Sequence, residues 1–347
     1  MTIVIDGSQG EGGGQVLRTS LTLSMCTGRD IAINNVRAGR HRPGLLRQHL
    51  TALNAAREIC NADVAGDEIG SQHVEFSPGA ITAGSYEFKI GTAGSTTLLA
   101  QTILPALSRA GNSSTIAMEG GTHNGMAPSV DFIERCFLPL LAKSGLEVAS
   151  QLDTHGFYPN GGGRWKIVVK PCASLKKLEL TARGEIVDQC AVVKSANIDA
   201  NIAERELARI QKKLRWSDSK LRAEKVASPG PGNIVSIRLA YRNVTEISES
   251  VGVLGVSAER VAGRAIASVK RYLTADYPVG TFLADQLIVP MVLGDGGTFL
   301  TGPLSEHTRT NIAVIEQILK RKCFDVSESK AGFLVRVAPG TAEQRRS

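Results

Sequence analysis

A glycine-rich segment near the N-terminus has the composition of an anion-binding turn. Residues 5–18, IDGSQGEGGGQVLR, are typical of a strand, a glycine loop and the start of a helix. Free N–H groups and the positive end of the helix dipole favour a bound anion at such a place. The segment lacks the Gly-Lys-Ser/Thr ending of a P-loop, and Gln15 stands at the last glycine position of G-x-G-x-x-G. Glu11 is unexpected in a plain strand-to-helix turn, the alternative reading, unless it faces a cation or a metal-bound phosphate.

A second segment concentrates positive charge. Four arginines fall within eleven residues around a Pro-Gly turn: Arg37, Arg40, Arg42 and Arg47. Planar guanidinium groups match the geometry of phosphate oxygens. The segment is therefore a candidate clamp for a phosphate or an RNA backbone, with a solvated basic turn as the alternative.

Four further segments place polar side chains beside predicted helices. They are GTAGS at 91–95, EGGTHNGMAP at 119–128, FLADQ at 282–286 and SEHTRTN at 305–311. A lone histidine is more often structural than catalytic, so local context alone does not make His307 a catalyst. For His123 we expect a place at the surface or behind the reacting groups.

Apolar periodicity predicts helices that come in pairs, accompanied by short strands. The helices of the three pairs begin near residues 17 and 45, 95 and 129, and 283 and 309. Repetition of this pattern predicts an α/β (α+β) fold built from three repeated α/β units, the third of them interrupted.

The interruption covers residues 183–277. Its strand runs, a highly charged helix at 203–215 and a final helix follow a βαβ(β)α pattern. We predict a small inserted α/β domain here, a core formed by residues 1–182 and 278–338, and a flexible tail at 339–347. The charged helix predicts a solvated face, with a nucleic-acid surface as the alternative.

Composition excludes several classes of protein. A chain of 347 residues with 42% hydrophobic and 21% charged residues can bury a sizeable core. It contains no apolar run near the ~18 residues of a membrane span, and its N-terminus lacks the features of a signal peptide. The six cysteines include no C-x-x-C pair, which favours reduced thiols and a cytoplasmic location. The formal net charge of +7 mildly favours a polyanionic partner.

Six segments together resemble the RNA 3′-terminal phosphate cyclase family. They occur in order along the chain: GSQGEGGGQVLRTSL, RAGRHRPGLLRQHL, GTAGSTTLLAQTILPAL, HGFYPNGGG, FLADQLIVPM and EHTRTNIAV. The resemblance implies units of two helices on a four-stranded sheet, with a smaller α/β domain inserted in the third. It also implies conversion of an RNA 3′-terminal phosphate to a 2′,3′-cyclic phosphate with ATP and a divalent metal ion, Mg²⁺ or Mn²⁺. The implied route passes through a covalent histidine–AMP intermediate and an RNA adenylate.

The resemblance also implies roles for individual residues. His307 takes the position of the nucleophile, and Glu11 that of an acidic residue holding the metal ion. The implied ATP-binding residues are Gln101, Pro128, Phe282, Leu283, Ala284, Asp285 and Gln286. The phosphates of ATP or of the RNA end fall to Arg18, Arg37, Arg40 and Arg42. Phe282 stands where the family often has tyrosine, and His123 stands where some relatives carry aspartate, which leaves the role of that position open.

Three other readings compete with an active cyclase. Cyclase-like proteins of ribosome assembly keep the fold but lack the nucleophilic histidine, so the presence of His307 with Glu11 and Gln101 favours an enzyme. An enolpyruvyl transferase has a similar repeated architecture, but its expected motifs are absent. A plain RNA-binding module leaves Glu11 and His307 unexplained. The natural RNA substrates and the oligomeric state stay open, and a homodimer is among the assemblies that the sequence allows.

Overall fold

Four sheets of four strands each and eight helical segments make up the protein in its computed structural model, which describes residues 1–340. The mixed α/β class predicted from the sequence is confirmed. The helices are α1 (Gly14–Thr27), α2 (Arg47–Cys60), α3 (Thr96–Leu107), α4 (130–143, with a π-helical turn at Ile133–Phe137), α5 (Ala200–Leu214), α6 (Ala258–Thr274), α7 (Thr281–Leu293) and α8 (Glu306–Leu319). The strands are β1 (Ile3–Asp6), β2 (Ile31–Asn34), β3 (Asp63–Ala65), β4 (Val74–Ser77), β5 (Ser85–Lys89), β6 (Ser114–Gly120), β7 (Val148–Thr154), β8 (Gly163–Val169), β9 (Leu178–Leu180), β10 (Ile186–Ala196), β11 (Leu221–Lys225), β12 (Gly232–Tyr241), β13 (Thr245–Val251), β14 (Gly297–Thr301), β15 (Phe324–Ser329) and β16 (Gly332–Val337).

Three of the sheets share one strand order. They run β1-β2-β4-β3, β5-β6-β8-β7 and β9-β14-β16-β15. In each sheet the first two strands are parallel and the other pairs antiparallel. A parallel pair requires a crossover connection, which α1, α3 and α7 supply. Each unit therefore runs βαβαββ, and one hydrophobic cluster containing Leu21, Ile116 and Leu287 extends through all three units.

The fourth sheet, β11-β10-β12-β13, lies between β9 and α7 in the chain and thus interrupts the third unit. Helices α5 and α6 pack on it around a separate core that includes Val193, Ile237 and Val261. Its elements run βαβββα, so three strands follow α5 where the sequence pattern indicated one or two. We call residues 186–274 the insert; the bounds 183–277 expected from the sequence stay a prediction.

Four helices that line the cleft described below begin in two different ways. A serine side chain caps α3 and α8, since Ser95 accepts a hydrogen bond from Leu98 N–H and Ser305 accepts one from Thr308 N–H. Helices α1 and α7 instead begin after Gly13 and Gly280, which provide no side-chain cap. Their first N–H groups stay available to an anion or another acceptor.

Three further expectations concern membrane spans, the cysteines and the C-terminal tail. No helix within residues 1–340 is both long and apolar enough to cross a membrane. The six cysteines all fall in this range and are free. Of the flexible tail expected at 339–347, residues 341–347 lie outside the described residues.

Candidate active site

A cleft of about 1740 Å³ is lined by residues of the repeated units and of the insert. Its walls include side chains of α1, α3, α7 and α8 and, across from them, residues of β13 and the loop after it. Seven of the residues singled out in the sequence line this cleft: Arg18, Gln101, Pro128, Phe282, Asp285, Gln286 and His307. Segments that are far apart in sequence therefore meet at one site.

His307 lies in the first turn of α8 and contacts Glu11. Its Nδ1 atom is 2.8 Å from Glu11 Oε2, and the imidazole is half exposed while the glutamate side chain is largely buried. The other carboxylate oxygen of Glu11 contacts the Arg40 guanidinium. The two atoms lie within ion-pair distance, although Glu11 Oε2 makes no hydrogen bond within residues 1–340. In a neutral imidazole that carries its proton on Nδ1, Nε2 has the lone pair.

The glycine loop positions Glu11. Its backbone N–H donates to Thr310 Oγ1 of α8 at 3.1 Å. Gly12 has a φ of +57°, and a Cβ atom there would lie 2.9 Å from the backbone nitrogen of Gly39. The left-handed conformation and the close approach both require glycine. The glycine-rich sequence thus brings the loop against both the arginine-rich turn and the start of α8.

A polar network joins α1, α7 and α8 beside His307. Asn311 Nδ2 donates to Asp285 Oδ1 at 3.3 Å, and Thr19 Oγ1 donates to Asn311 Oδ1. Burial raises the pKa of Asp285, while His307 and Arg18 partly oppose the rise. Burial lowers the pKa of Arg18 to about 10, so its guanidinium stays charged at neutral pH. Thr19 was not singled out in the sequence, although Asn311 belongs to the segment that contains His307.

His49 is a further site residue that the sequence did not reveal. Burial, together with Arg18, Arg37 and Arg40, lowers its pKa to about 3. A Cβ atom on Gly14, the first residue of α1, would lie 2.5 Å from His49 Nε2. A neutral histidine among three arginines marks a positive potential at the start of α1, as an anion site requires.

Five of the predicted contact residues do not line the cleft: Arg37, Arg40, Arg42, Leu283 and Ala284. Arg40 is paired with Glu11. Arg37 is buried, and its guanidinium donates to the carbonyl oxygens of Arg42 and Gly44 at 2.8 and 2.6 Å. Arg42 is exposed. The side chains of Leu283 and Ala284 belong to the hydrophobic core, so their contact with a nucleotide stays a prediction.

His123 is completely buried, so a surface position for it is wrong. Its Nδ1 is 2.8 Å from Thr122 Oγ1, and its Nε2 is 3.3 Å from Asp131 Oδ2. Asp131 also accepts two hydrogen bonds from Lys194 of the insert. The contact of Asp131 with Lys194 spans 63 residues, so no local sequence pattern could indicate it.

Two buried amide atoms in the cleft lack partners. Neither Gln101 Nε2 nor Gln286 Oε1 makes a hydrogen bond within residues 1–340. Buried polar groups are nearly always paired, so these atoms call for a ligand or a water molecule. Phe282, with 67% of its surface exposed, adds an aromatic face to the same cleft. An unpaired donor, an unpaired acceptor and an exposed ring fit the base of a nucleotide.

The family model for RNA 3′-terminal phosphate cyclase matches residues 9–324 of this chain. The chain belongs to the RNA 3′-terminal phosphate cyclase family. The match includes Glu11, Gln101 and His307, so the cyclase family model covers the cleft described above.

Proteins named RNA 3′-terminal phosphate cyclase resemble the chain over almost its whole length. The one from Salmonella typhimurium is 46% identical over 336 residues, which cover 97% of this chain and 98% of the relative. The one from Ectopseudomonas mendocina is 47% identical over 318 residues, covering 91% and 92%. That of Salmonella heidelberg is 44% identical over 349 residues, covering 97% and 99%. The chain thus spans nearly all of these cyclases.

Proposed function

We propose that this protein is an ATP-dependent RNA 3′-terminal phosphate cyclase in which His307 is the nucleophile. The contact of His307 Nδ1 with the Glu11 carboxylate at 2.8 Å carries the proposal. It pairs a nucleophile with an orienting group, and the family relationship supplies the reaction. The overall reaction is an AMP-forming ligation of the RNA 3′-phosphate to its own 2′-oxygen.

The proposed reaction has three balanced steps. His307 Nε2 attacks the α-phosphorus of ATP, the bond to the β-phosphate oxygen breaks, and pyrophosphate leaves with the electron pair. An oxygen of the RNA 3′-phosphate then attacks the same phosphorus, and the P–N bond breaks to return a neutral imidazole. Finally the 2′-oxygen attacks the 3′-phosphorus, the bond from that phosphorus to the AMP oxygen breaks, AMP leaves with the electron pair, and the hydroxyl proton passes to water. The ribose holds that hydroxyl at a high effective concentration.

The residues of this chain have separate duties in that scheme. Glu11 keeps the proton on Nδ1 and stabilises the positive charge that the imidazole acquires on attack. Phe282 offers its ring to adenine, with Pro128 on the other side, while Gln101 and Gln286 supply a donor and an acceptor. Arg18, Arg40 and the start of α1 attract the phosphates.

The metal ion belongs to the proposal as well. Within residues 1–340 no group of three or more His, Cys, Asp or Glu side chains has the arrangement of a metal site. Glu11 fits as a single protein ligand, provided that it exchanges its contact with Arg40 for the metal, and phosphate oxygens and water complete the shell. The ion neutralises negative charge on the triphosphate.

Labelling with α-³²P-ATP tests the nucleophile. With Mg²⁺ or Mn²⁺ present, the wild-type protein should acquire an acid-labile, alkali-stable label that RNA with a 3′-phosphate discharges and RNA with a 3′-hydroxyl does not. His307→Ala should abolish the label, whereas His73→Ala, which changes an exposed histidine paired with Glu75, should not. Labelling of His307→Ala contradicts the assignment. An unlabelled wild-type protein favours a non-catalytic relative.

A further inference from the structure

Besides Phe282, the cleft has other exposed apolar side chains that have no role in the scheme above. Tyr158 is 74% exposed, and Met126 and Leu254 are more exposed still. All three line the cleft that contains His307. Exposed apolar groups gathered at one place are typical of a binding surface.

Tyr158 and Leu254 project from one small cluster. Phe157, which precedes Tyr158, is buried against Ile234 of the insert, and Val251 packs against the same cluster. The chain continues from Val251 through two residues to Leu254. Tyr158 and Leu254 therefore each lie within three residues of a side chain that packs in this cluster.

Met126 follows Gly125, which lies beside Val251 of the same cluster. A Cβ atom on Gly125 would lie 3.8 Å from Val251 Cβ, which is ordinary van der Waals contact. Met126 thus comes from the second unit, as does Tyr158, while Leu254 comes from the insert. We call Tyr158, Met126 and Leu254 the apolar rim.

The loop that carries Tyr158 is held on both sides. Gly161 has a φ of +66°, and a Cβ atom there would lie 2.6 Å from the carbonyl oxygen of Thr92. A Cβ atom on Gly162 would lie 2.9 Å from Pro229 of the insert. Gly161 N–H also donates to the Phe157 carbonyl at 2.7 Å. A loop backbone fixed in this way loses little further freedom when a ligand binds to Tyr158.

A positive charge in the same cleft indicates which kind of ligand the apolar rim binds. Arg264 of the insert is exposed, lines the same cleft and forms no ion pair within residues 1–340. An aromatic ring and an unpaired arginine in one cleft are the combination that proteins use to bind single-stranded nucleic acid, because bases stack on the ring and phosphates pair with the cation. An RNA whose 3′-phosphate reaches His307 must also place its last nucleotides in this cleft.

We propose that Tyr158, flanked by Met126 and Leu254, stacks a nucleobase near the 3′ end of the RNA. The inference rests on the proposed function, in which the RNA end enters this cleft. Stacking on a ring tolerates any base, so the subsite binds RNA ends without strong sequence preference.

Binding measurements without ATP test the subsite. The ligands are a short RNA with a 3′-phosphate and versions of it with an abasic residue at each of the last three positions. Tyr158→Ala should raise the Kd for the intact RNA about 5- to 100-fold. The same substitution should change the Kd less than about twofold when the stacked base is the one removed. Tyr158→Phe and Ile69→Ala, an exposed apolar residue outside the cleft, should bind like the wild type.

Four results overturn the inference. An unchanged Kd for intact RNA, or an equal loss on every abasic RNA, shows that Tyr158 stacks none of these bases. A tenfold slower labelling by α-³²P-ATP with unchanged RNA affinity assigns the ring to ATP. Dissociation of a dimer by Tyr158→Ala, seen by sedimentation, assigns the rim to a subunit contact. Failure of the proposed function is distinguishable, because a wild-type protein that takes no label can still show the abasic-dependent loss.

Discussion

At the scale of single residues, one carboxylate contacts an imidazole and a guanidinium group. Glu11 contacts His307 through one oxygen and Arg40 through the other. The side chain is only 14% exposed, so both contacts are weakly screened by solvent. The arrangement suits a group that must orient an imidazole before attack and stabilise its positive charge afterwards.

We predict that Glu11→Gln slows labelling by α-³²P-ATP by between about 10² and 10⁴-fold. The amide keeps the shape of the side chain but loses the charge that stabilises the imidazolium. Single-turnover labelling rates measure the effect. Glu75→Gln is the matched control, since Glu75 also contacts a histidine, His73 at 3.2 Å, but is exposed. Equal rates for wild type and Glu11→Gln contradict the role of Glu11.

At the scale of elements, the insert buries two carboxyl groups. Glu206 on α5 accepts two hydrogen bonds from Asn233, and burial raises its pKa to about 7. Burial raises the pKa of Glu246 on β13 to about 8, although Arg183 opposes the rise. Both groups bind protons more tightly in the folded protein than in the unfolded chain, whose glutamates titrate near 4.5. Their contribution to stability is complete below pH 4.5 and is lost as the pH rises through the folded pKa.

We predict that Glu246→Gln reduces the fall in the free energy of unfolding between pH 6.5 and 8. Urea denaturation at several pH values measures it, and at pH 8 the variant should be the more stable protein. Below pH 6.5 the buried His49 and His155, each with a pKa of about 3, act in the opposite direction, so the window starts there. The exposed Glu185→Gln is the control. If the free energy of unfolding changes with pH equally in the wild type and in Glu246→Gln, the raised pKa of Glu246 is contradicted.

At the scale of the whole molecule, an ion pair joins the insert to the second unit. Lys194 of β10 donates to both oxygens of Asp131 at the start of α4, at 2.7 and 2.6 Å. Burial opposes ionisation of Asp131, but His123 and Lys194 together hold its pKa below the usual value. The pair is largely buried, so removing one partner leaves a charge that no solvent compensates.

We predict that Lys194→Met lowers the free energy of unfolding by about 3 kcal/mol. The apolar replacement fills most of the volume, so the loss reflects a buried carboxylate that keeps its contact with His123 but loses the ammonium group. Urea denaturation measures it, with Arg242→Met as control because that arginine forms an exposed pair with Glu185 at 3.5 Å. The control should change stability by less than about 1 kcal/mol. Similar losses in both variants contradict the importance of the buried pair.

Local sequence was enough to predict much of this protein. Apolar periodicity depends on neighbouring residues, and it indicated the paired helices and the mixed α/β class. It did not indicate β3 or β9, because three residues are too few for alternation to show, and it indicated too few strands in the insert. The ordered motifs also predicted a set of residues, among them Gln101, Phe282 and His307, that the fold brings to one cleft.

Contacts between distant segments were decided only by the tertiary structure. Glu11 and His307 lie about 300 residues apart, and their contact depends on how the glycine loop packs against α8. Arginine is a residue type that often binds phosphate, yet in this fold the Arg37 guanidinium donates to backbone carbonyls. His123 was expected at the surface or behind the reacting groups, and packing buries it completely. The physical reason is that short-range pattern encodes elements and residue types, whereas burial and hydrogen-bond partners arise from packing between elements far apart in the chain.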